Sequence, residues 1–574
     1  MRENSLSLRV RRSSLFSPSA APGRASHLLW AAALSTLGAG LVCFIAGLYV
    51  VSLWLFVACA VAVALVLPLE YALVSPLFMG LIGWLVDMLP LLILVGWLTA
   101  VARWAFGLIA ARRLPRAGKF VVIPLFLVGW TALGAYAVLG TGDVKHFILL
   151  FGLQVLISGA VLAVVDSLDE PAARARVAAA LVSYLVLLSA GVLLDWVGVP
   201  LQELQSSAAR ARVEAAYGLD AFPNSVGMVK YTTASDSGAG ELRSELRRVA
   251  ERTPGMPGFK VFKPRFHAYP QKLIARFSGT ARPVEEVLAA HGIELIYDNV
   301  GVAQAHTVPR MRSFPRNSLT YAGISAALFP FALYLAATGE GRRRWIGRLG
   351  LAAALFGAGF SLARGAWAVV ALAIVYLIVD GAVSKRLKLS AVLVYLLGAL
   401  VLTGVFLGKY GQDPLHARAG AEGSIGTRKA TYGDTLASVG GLSFLIGYGT
   451  EAPRTGSGVS HLAGRYIPRA GTHSTYLNYL FRSGVPGMVA IMALYLVAFL
   501  HARAAARNLQ ARERIFASMA ATAMVIVGAH AVILSLYVEP AYTLTISLIV
   551  GLAVAGATSL STSVLPWRTG RAGG

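Results

Sequence analysis

Three short stretches of this chain carry residues able to do chemistry. In Ser361-Leu362-Ala363-Arg364-Gly365-Ala366-Trp367, Arg364 is the single charge between Arg348 and Asp380. A guanidinium in hydrocarbon is costly, so it normally faces a cavity or a partner. The bland alternative is a turn whose side chain snorkels to the interface. In Gly471-Thr472-His473-Ser474-Thr475-Tyr476-Leu477-Asn478, Thr472 is expected to cap a helix, with His473 in its first turn. The positive end of the helix dipole disfavours imidazolium there and keeps a neutral ring as proton acceptor. The same end attracts anions such as phosphate. The competing reading is a solvated loop histidine. In Gly426-Thr427-Arg428-Lys429-Ala430-Thr431-Tyr432, Arg428 is ordinary by itself and counts only in company with the other two. His530 and Glu539 read as packing residues.

Long apolar helices must position these residues. Hydrophobic residues make up 57% of the 574 and charged ones 14%, with a mean hydropathy of +0.67. That composition lies outside the range of soluble domains. About 20 apolar residues span the roughly 30 Å hydrocarbon layer as a helix. Runs of that kind recur at Leu28–Leu67, Phe120–Leu139, Val177–Val197 and Leu319–Ala337. The net charge of +24 arises from arginines between apolar runs, not on one polar face. It points to topology control and contact with membrane lipid, not nucleic acid. Cys43 and Cys59 fall inside apolar runs and read as packing residues. The run after the basic N-terminal arm is too long for a cleavable signal peptide, so it is expected to be retained.

Basic short segments occur at the N-terminal arm, Arg112–Lys119, Arg342–Arg348, Lys385–Lys388, Arg503–Arg514 and Arg568–Arg571, with a weaker one at Arg174 and Arg176. Placing them all inside predicts an all-α polytopic membrane protein of about 14 (12–14) transmembrane helices, with both termini cytoplasmic. Hairpins are expected over Leu28–Leu67 and over Tyr71–Ala111, the second turning at Asp87 and Pro90. Helices are also expected at Leu349–Leu362, Gly365–Val379 and Ser390–Leu407, and from about Tyr476, Ile515 and Ala541. The division is a basic arm (1–27), N-terminal spans (28–197), an outer insertion (198–317), spans around Arg364 (318–408), an outer loop (409–475), C-terminal spans (476–560) and a tail (561–574). The insertion reads as a small α/β unit, with helical spacing at Glu241–Arg252 and Val284–Ala290 and strands at Lys260–Phe266 and Leu295–Tyr297.

The order of these motifs resembles the bacterial O-antigen ligase and O-antigen polymerase superfamily. It runs from an arginine-glycine-tryptophan turn through one more pass and a long outer loop with an arginine. A histidine then opens the next helix before the glycine-rich turn Gly484-Val485-Pro486-Gly487. The resemblance covers mainly Leu319–Ala557, with Ala363, Ser474 and Arg482 standing where the family commonly has other residues. It implies transfer of a glycan from a polyprenyl diphosphate carrier to a glycolipid or glycan hydroxyl, at the periplasmic face of the inner membrane. Arg364 and Arg428 would grip the diphosphate as bidentate forks, and His473 would take the acceptor proton. Arg465, Arg469, Tyr476 and Asn478 are further substrate contacts. No cofactor is expected, nor a metal, because no aspartate pair stands in the outer loop. Ligation to lipid A-core and polymerisation of lipid-linked repeats share these motifs. A lipid-linked glycan flippase is the alternative of another class, and it predicts two similar halves that the chain lacks.

Overall fold

The computed structural model describes residues 24–85, 89–139, 144–196, 318–361, 363–410, 439–449, 474–509, 511–534 and 539–563. Six short strands and a few positions in the two insertions (248, 314, 432–433 and 435–437) are also described. The helices in chain order are α1 (Arg24–Ile45), α2 (Tyr49–Val66), α3 (Leu69–Ala72), α4 (Ser75–Leu85), α5 (Leu89–Ala110), α6 (Val122–Leu139), α7 (Val144–Ser167) and α8 (Pro171–Trp196). They continue as α9 (Ser318–Thr338), α10 (Gly341–Phe360), α11 (Arg364–Val379), α12 (Lys385–Tyr410), α13 (Leu442–Ile446), α14 (Thr475–Asn508), α15 (Ala511–Ile533) and α16 (Pro540–Ser563). Among the described residues, nine helices are long and apolar enough to cross a membrane, and four shorter ones are also apolar. The fold is that of an all-α polytopic membrane protein.

The chain forms two compact units, residues 1–112 and 113–574. In the first, α2 packs on α1, α4 and α5 around Phe56, Cys59, Ala60, Met79 and Leu92. Ser52 donates to the Gly40 carbonyl at 2.8 Å, joining the α1–α2 hairpin. Arg103 of α5 donates to the carbonyls of Ala64 and Leu67 at 3.0 and 2.5 Å, so the end of α2 satisfies a cation inside an apolar helix. Pro90 lies in the first turn of α5, not in the turn before it; a missing N–H is harmless there. Asp87 lies outside the described residues.

The second unit is built on α9. Every residue from Thr320 to Leu335 is buried, as expected of a helix that is apolar all round. It packs against α8, α10, α11, α15 and α16. Tyr321 and Ser189 share a 2.7 Å hydrogen bond between α9 and α8. Close approach of α10 depends on glycine: a Cβ at Gly347 would collide with the Ala336 backbone, and one at Gly357 with Ser325. By contrast α12 turns Leu389, Leu393, Leu396, Leu397 and Leu400 outward. That is the surface of a helix facing lipid.

The break at Ser361–Ala363 separates α10 from α11, so Leu349–Val379 is a pair of helices and not one. Both α10 and α12 begin earlier than their apolar runs. They take in Arg342–Arg348 and Lys385–Lys388, because long cationic side chains reach water while their backbones stay helical. In the first insertion the described backbone comprises β1 (Gly227–Thr232), β2 (Lys260–Phe262), β3 (Lys272–Phe277) and β4 (Ile296–Tyr297), antiparallel in the order β2-β3-β1-β4. The helices expected over 241–252 and 284–290 lie outside the described residues, Arg248 excepted. In the second insertion β5 (Val459–Leu462) pairs with β6 (Arg465–Pro468).

Candidate active site

The last turn of α15 organises the site. A helix leaves its final carbonyls without intrahelical partners, and here hydroxyls from two other segments satisfy them. Ser474 Oγ donates to Ala531 O at 3.2 Å, Tyr432 OH to Val532 O at 3.1 Å, and Thr475 Oγ1 to Leu534 O at 2.9 Å. One turn earlier, Tyr476 OH donates to Gly528 O at 3.1 Å. The start of α11 reaches the same place: Gly365 packs on Ile533, and a Cβ there would lie 2.6 Å from Ile533 Cδ1. Thus the immediate neighbour of His473, the immediate neighbour of Arg364 and a tyrosine four residues after Arg428 all meet residues 531–534.

Arg364 opens α11 and is exposed, with no carboxylate or hydrogen-bond partner among the described residues. It belongs to the helix itself, and the turn precedes it. A helix of 16 residues is about 24 Å long, short of the roughly 30 Å hydrocarbon layer. The carbonyl end of α15 carries partial negative charge, which favours a cation beside it.

Ser474, not Thr472, is the N-cap of α14: its side chain accepts from the Leu477 N–H at 3.4 Å. The same oxygen donates to Ala531 O, and this tertiary bond fixes the cap two residues later than expected. His473 therefore precedes the cap instead of occupying the first turn. Thr472, His473, Arg428 and Arg469 lie outside the described residues. Arg465 opens β6. Tyr476 is half-buried, and Asn478 is buried at 4% exposure.

Below this level α14 is broken. Gly484 has φ +66, and Pro486 cannot supply an N–H to Arg482 O, so the expected glycine-rich turn is a kink inside a 34-residue helix. Three carbonyls at the break, those of Phe481, Arg482 and Ser483, are taken by other segments. Tyr448 N donates to Phe481 O at 2.8 Å and Gly449 N to Arg482 O at 3.0 Å. Trp130 Nε1 serves both Ser483 O and Leu445 O, each at 3.1 Å. Gly447 is obligatory here, since a Cβ would strike the Arg482 carbonyl. Backbone polar groups at membrane depth need such partners. Further polar bonds tie α14 to α7: Tyr479 OH to Gln154 at 2.7 Å and Arg482 Nη2 to Leu150 O at 2.5 Å. None of these supports was visible in the sequence beyond the presence of Trp130 and the Gly447-Tyr448-Gly449 segment.

His530 is buried and bonded to Tyr542 OH at 2.9 Å, a packing role. The crevice beside it, lined by Thr475, Tyr495, Tyr542 and Ser547, has a volume of about 20 Å³ and excludes a polyprenyl chain. Among the described residues no group of three His, Cys, Asp or Glu side chains stands close enough to hold a metal ion.

Residues 349–492 match the family model described as O-antigen ligase, a segment from α10 to the middle of α14 that contains Arg364, Arg428 and His473. No curated protein and no solved structure matches the chain. The family match bears out the resemblance carried by the motifs, and it supports the O-antigen ligase superfamily for this multi-pass membrane protein.

Proposed function

We propose that this chain transfers a glycan from a polyprenyl diphosphate carrier to an acceptor hydroxyl, with inversion and without a metal, at the periplasmic face of a bacterial inner membrane. The acceptor is the lipid A-core. The observation that carries this reading is the convergence on residues 531–534 of α15: Ser474, Gly365 and Tyr432 each tie a segment bearing a proposed catalytic residue to that one turn. In this reading the acceptor oxygen attacks the anomeric carbon as the bond to the diphosphate breaks. The diphosphate leaves with the electron pair, and His473 takes the acceptor proton. Arg364 and Arg428 grip the phosphate oxygens as charge develops. Arg465 and Arg469 add positive charge along the loop. Tyr476 would meet a sugar with its ring face, its hydroxyl being engaged by Gly528, and Asn478 would support it from the next turn.

The same reading has about 14 spans with both termini cytoplasmic. Residues 198–317 form a small α/β unit that selects the acceptor. Purified His473→Ala protein should retain the wild-type unfolding midpoint and lose transfer from a lipid-linked donor. Undiminished turnover removes the histidine from the mechanism. Lipid A-core and a second lipid-linked repeat, offered in parallel, separate the two chemistries of the superfamily: transfer to the repeat alone replaces ligation by polymerisation.

A further inference from the structure

A cavity of about 600 Å³ opens near Arg512, about 30 Å along α15 from Ile533. Its volume is that of a small-molecule site. Four arginines line it (Arg174, Arg342, Arg343 and Arg512), together with Glu340 and Glu513. The two carboxylates are already engaged. Arg512 Nη2 lies 2.7 Å from Glu340, and Arg174 Nη2 lies 3.6 Å from Glu513 while its Nη1 donates to Ala555 O at 2.9 Å. Arg174 is 2% exposed and forms part of the wall. Arg342 and Arg343 are exposed, and neither guanidinium has a carboxylate or hydrogen-bond partner among the described residues.

Three helices begin at this cavity: α8 at Pro171, α10 at Gly341 and α15 at Ala511. Their positive ends add to the field of the two free arginines. The first turns of α8 and α10 hold no acidic residue; Glu170 and Glu340 stand just before them, and Glu340 is held by Arg512. Leu335, Phe516 and Ala517 give the wall an apolar part. The Arg342–Arg348 and Arg503–Arg514 segments place this level at a membrane surface, where basic pockets between helices meet lipid headgroups.

From this arrangement we infer that the cavity is a binding site for an anionic phospholipid, with its phosphate on Arg342 and Arg343 and its glycerol and first acyl carbons against Leu335, Phe516 and Ala517. The bound lipid joins the ends of α8, α9, α10 and α15.

The test uses the full-length protein in detergent. Phosphatidylglycerol, phosphatidylcholine and inorganic phosphate are titrated separately, with the unfolding midpoint and retained lipid by native mass spectrometry as readouts. Phosphatidylglycerol is expected to stay bound and raise the midpoint, and the other two to do neither. The double variant Arg342→Gln/Arg343→Gln should bind phosphatidylglycerol about tenfold more weakly or worse, with its lipid-free midpoint unchanged. Arg348→Gln, which removes one charge outside the cavity (its guanidinium stacks on Trp345 at 5.2 Å), should bind as wild type. Equal affinity of wild type and the double variant overturns the proposal, as does an equal loss in Arg348→Gln. Equal effects of phosphatidylglycerol and phosphatidylcholine overturn it too. Phosphate alone reproducing the midpoint shift replaces the lipid with a soluble anion.

Discussion

At the Ala511 end of α15, two arginines that line the cavity are engaged by carboxylates and carbonyls, while Arg342 and Arg343 beside them have no such partner among the described residues. Arg174 joins Glu513 and Ala555 O, and Arg512 joins Glu340 and Thr338 O. Nearby in sequence, Arg113 grips both oxygens of Asp166 at 2.7 and 2.8 Å, and this bond raises its affinity for the proton. At the Ile533 end the scaffold is neutral. Hydroxyls of Ser474, Thr475 and Tyr432 bind carbonyls, and Arg364 has no carboxylate beside it among the described residues. A cation paired within the fold has little left for a ligand. One held at a neutral, carbonyl-rich edge keeps its field for an incoming anion. Arg174 and Arg512 thus differ from Arg364 in what is left of their charge for a ligand.

The sharpest way to break this contrast is Arg364→Ala. Transfer should fall by about 10³-fold, while stability shifts by less than about 0.5 kcal/mol. Lysine at that position should also fail badly, because a point charge does not replace the fork. If Arg364→Ala instead lowers the unfolding midpoint and spares the rate, the outer arginine is structural and the contrast is lost. Arg174→Ala should show the reverse pattern, costing about 3 kcal/mol in thermal or denaturant unfolding by emptying the volume of a side chain only 2% exposed and removing its bond to Ala555 O. Full stability in that variant would mean that burial of Arg174 carries no weight.

Ser474→Ala removes both the cap of α14 and its bond to Ala531. A loss of about 1 kcal/mol is expected, together with lower turnover through misplacement of His473. Ser474→Thr should restore both, and a loss of stability without any change in turnover would separate the cap from the site. Arg116→Ala, which breaks the exposed 3.0 Å pair with Asp169, should move stability by less than about 0.5 kcal/mol. Careful calorimetry of that variant sets the baseline against which the other changes are read.

Much of the membrane architecture was legible in the residues. The α1–α2 hairpin and the helix α6 stand where the apolar runs put them. The break at Ser361–Ala363 was legible too, through the isolated Arg364 and the alternation of basic segments. The sites of α10 and α12 onset were not, since a basic helical turn and a basic loop look alike in sequence. The cap at Ser474 was also missed. Thr472 and Ser474 are both local cap candidates, and the bond to the Ala531 carbonyl adds to the serine's own preference for that position.

A chain entering lipid must satisfy its backbone within each segment, so apolar length and flanking charge by themselves determined that this protein is a bundle of helices and roughly where each begins and ends. What lies between helices depends on partners distant in sequence, from Tyr448 and Phe481 to Trp130 and Ser483. The break at Gly484 is stable because Tyr448, Gly449 and Trp130 take its carbonyls. The last turn of α15 gathers Ser474, Tyr432 and Gly365 because its carbonyls need donors and its side chain Ile533 needs a neighbour without a Cβ. Such bonds have no local signature, and only the folded arrangement decides which residues make them.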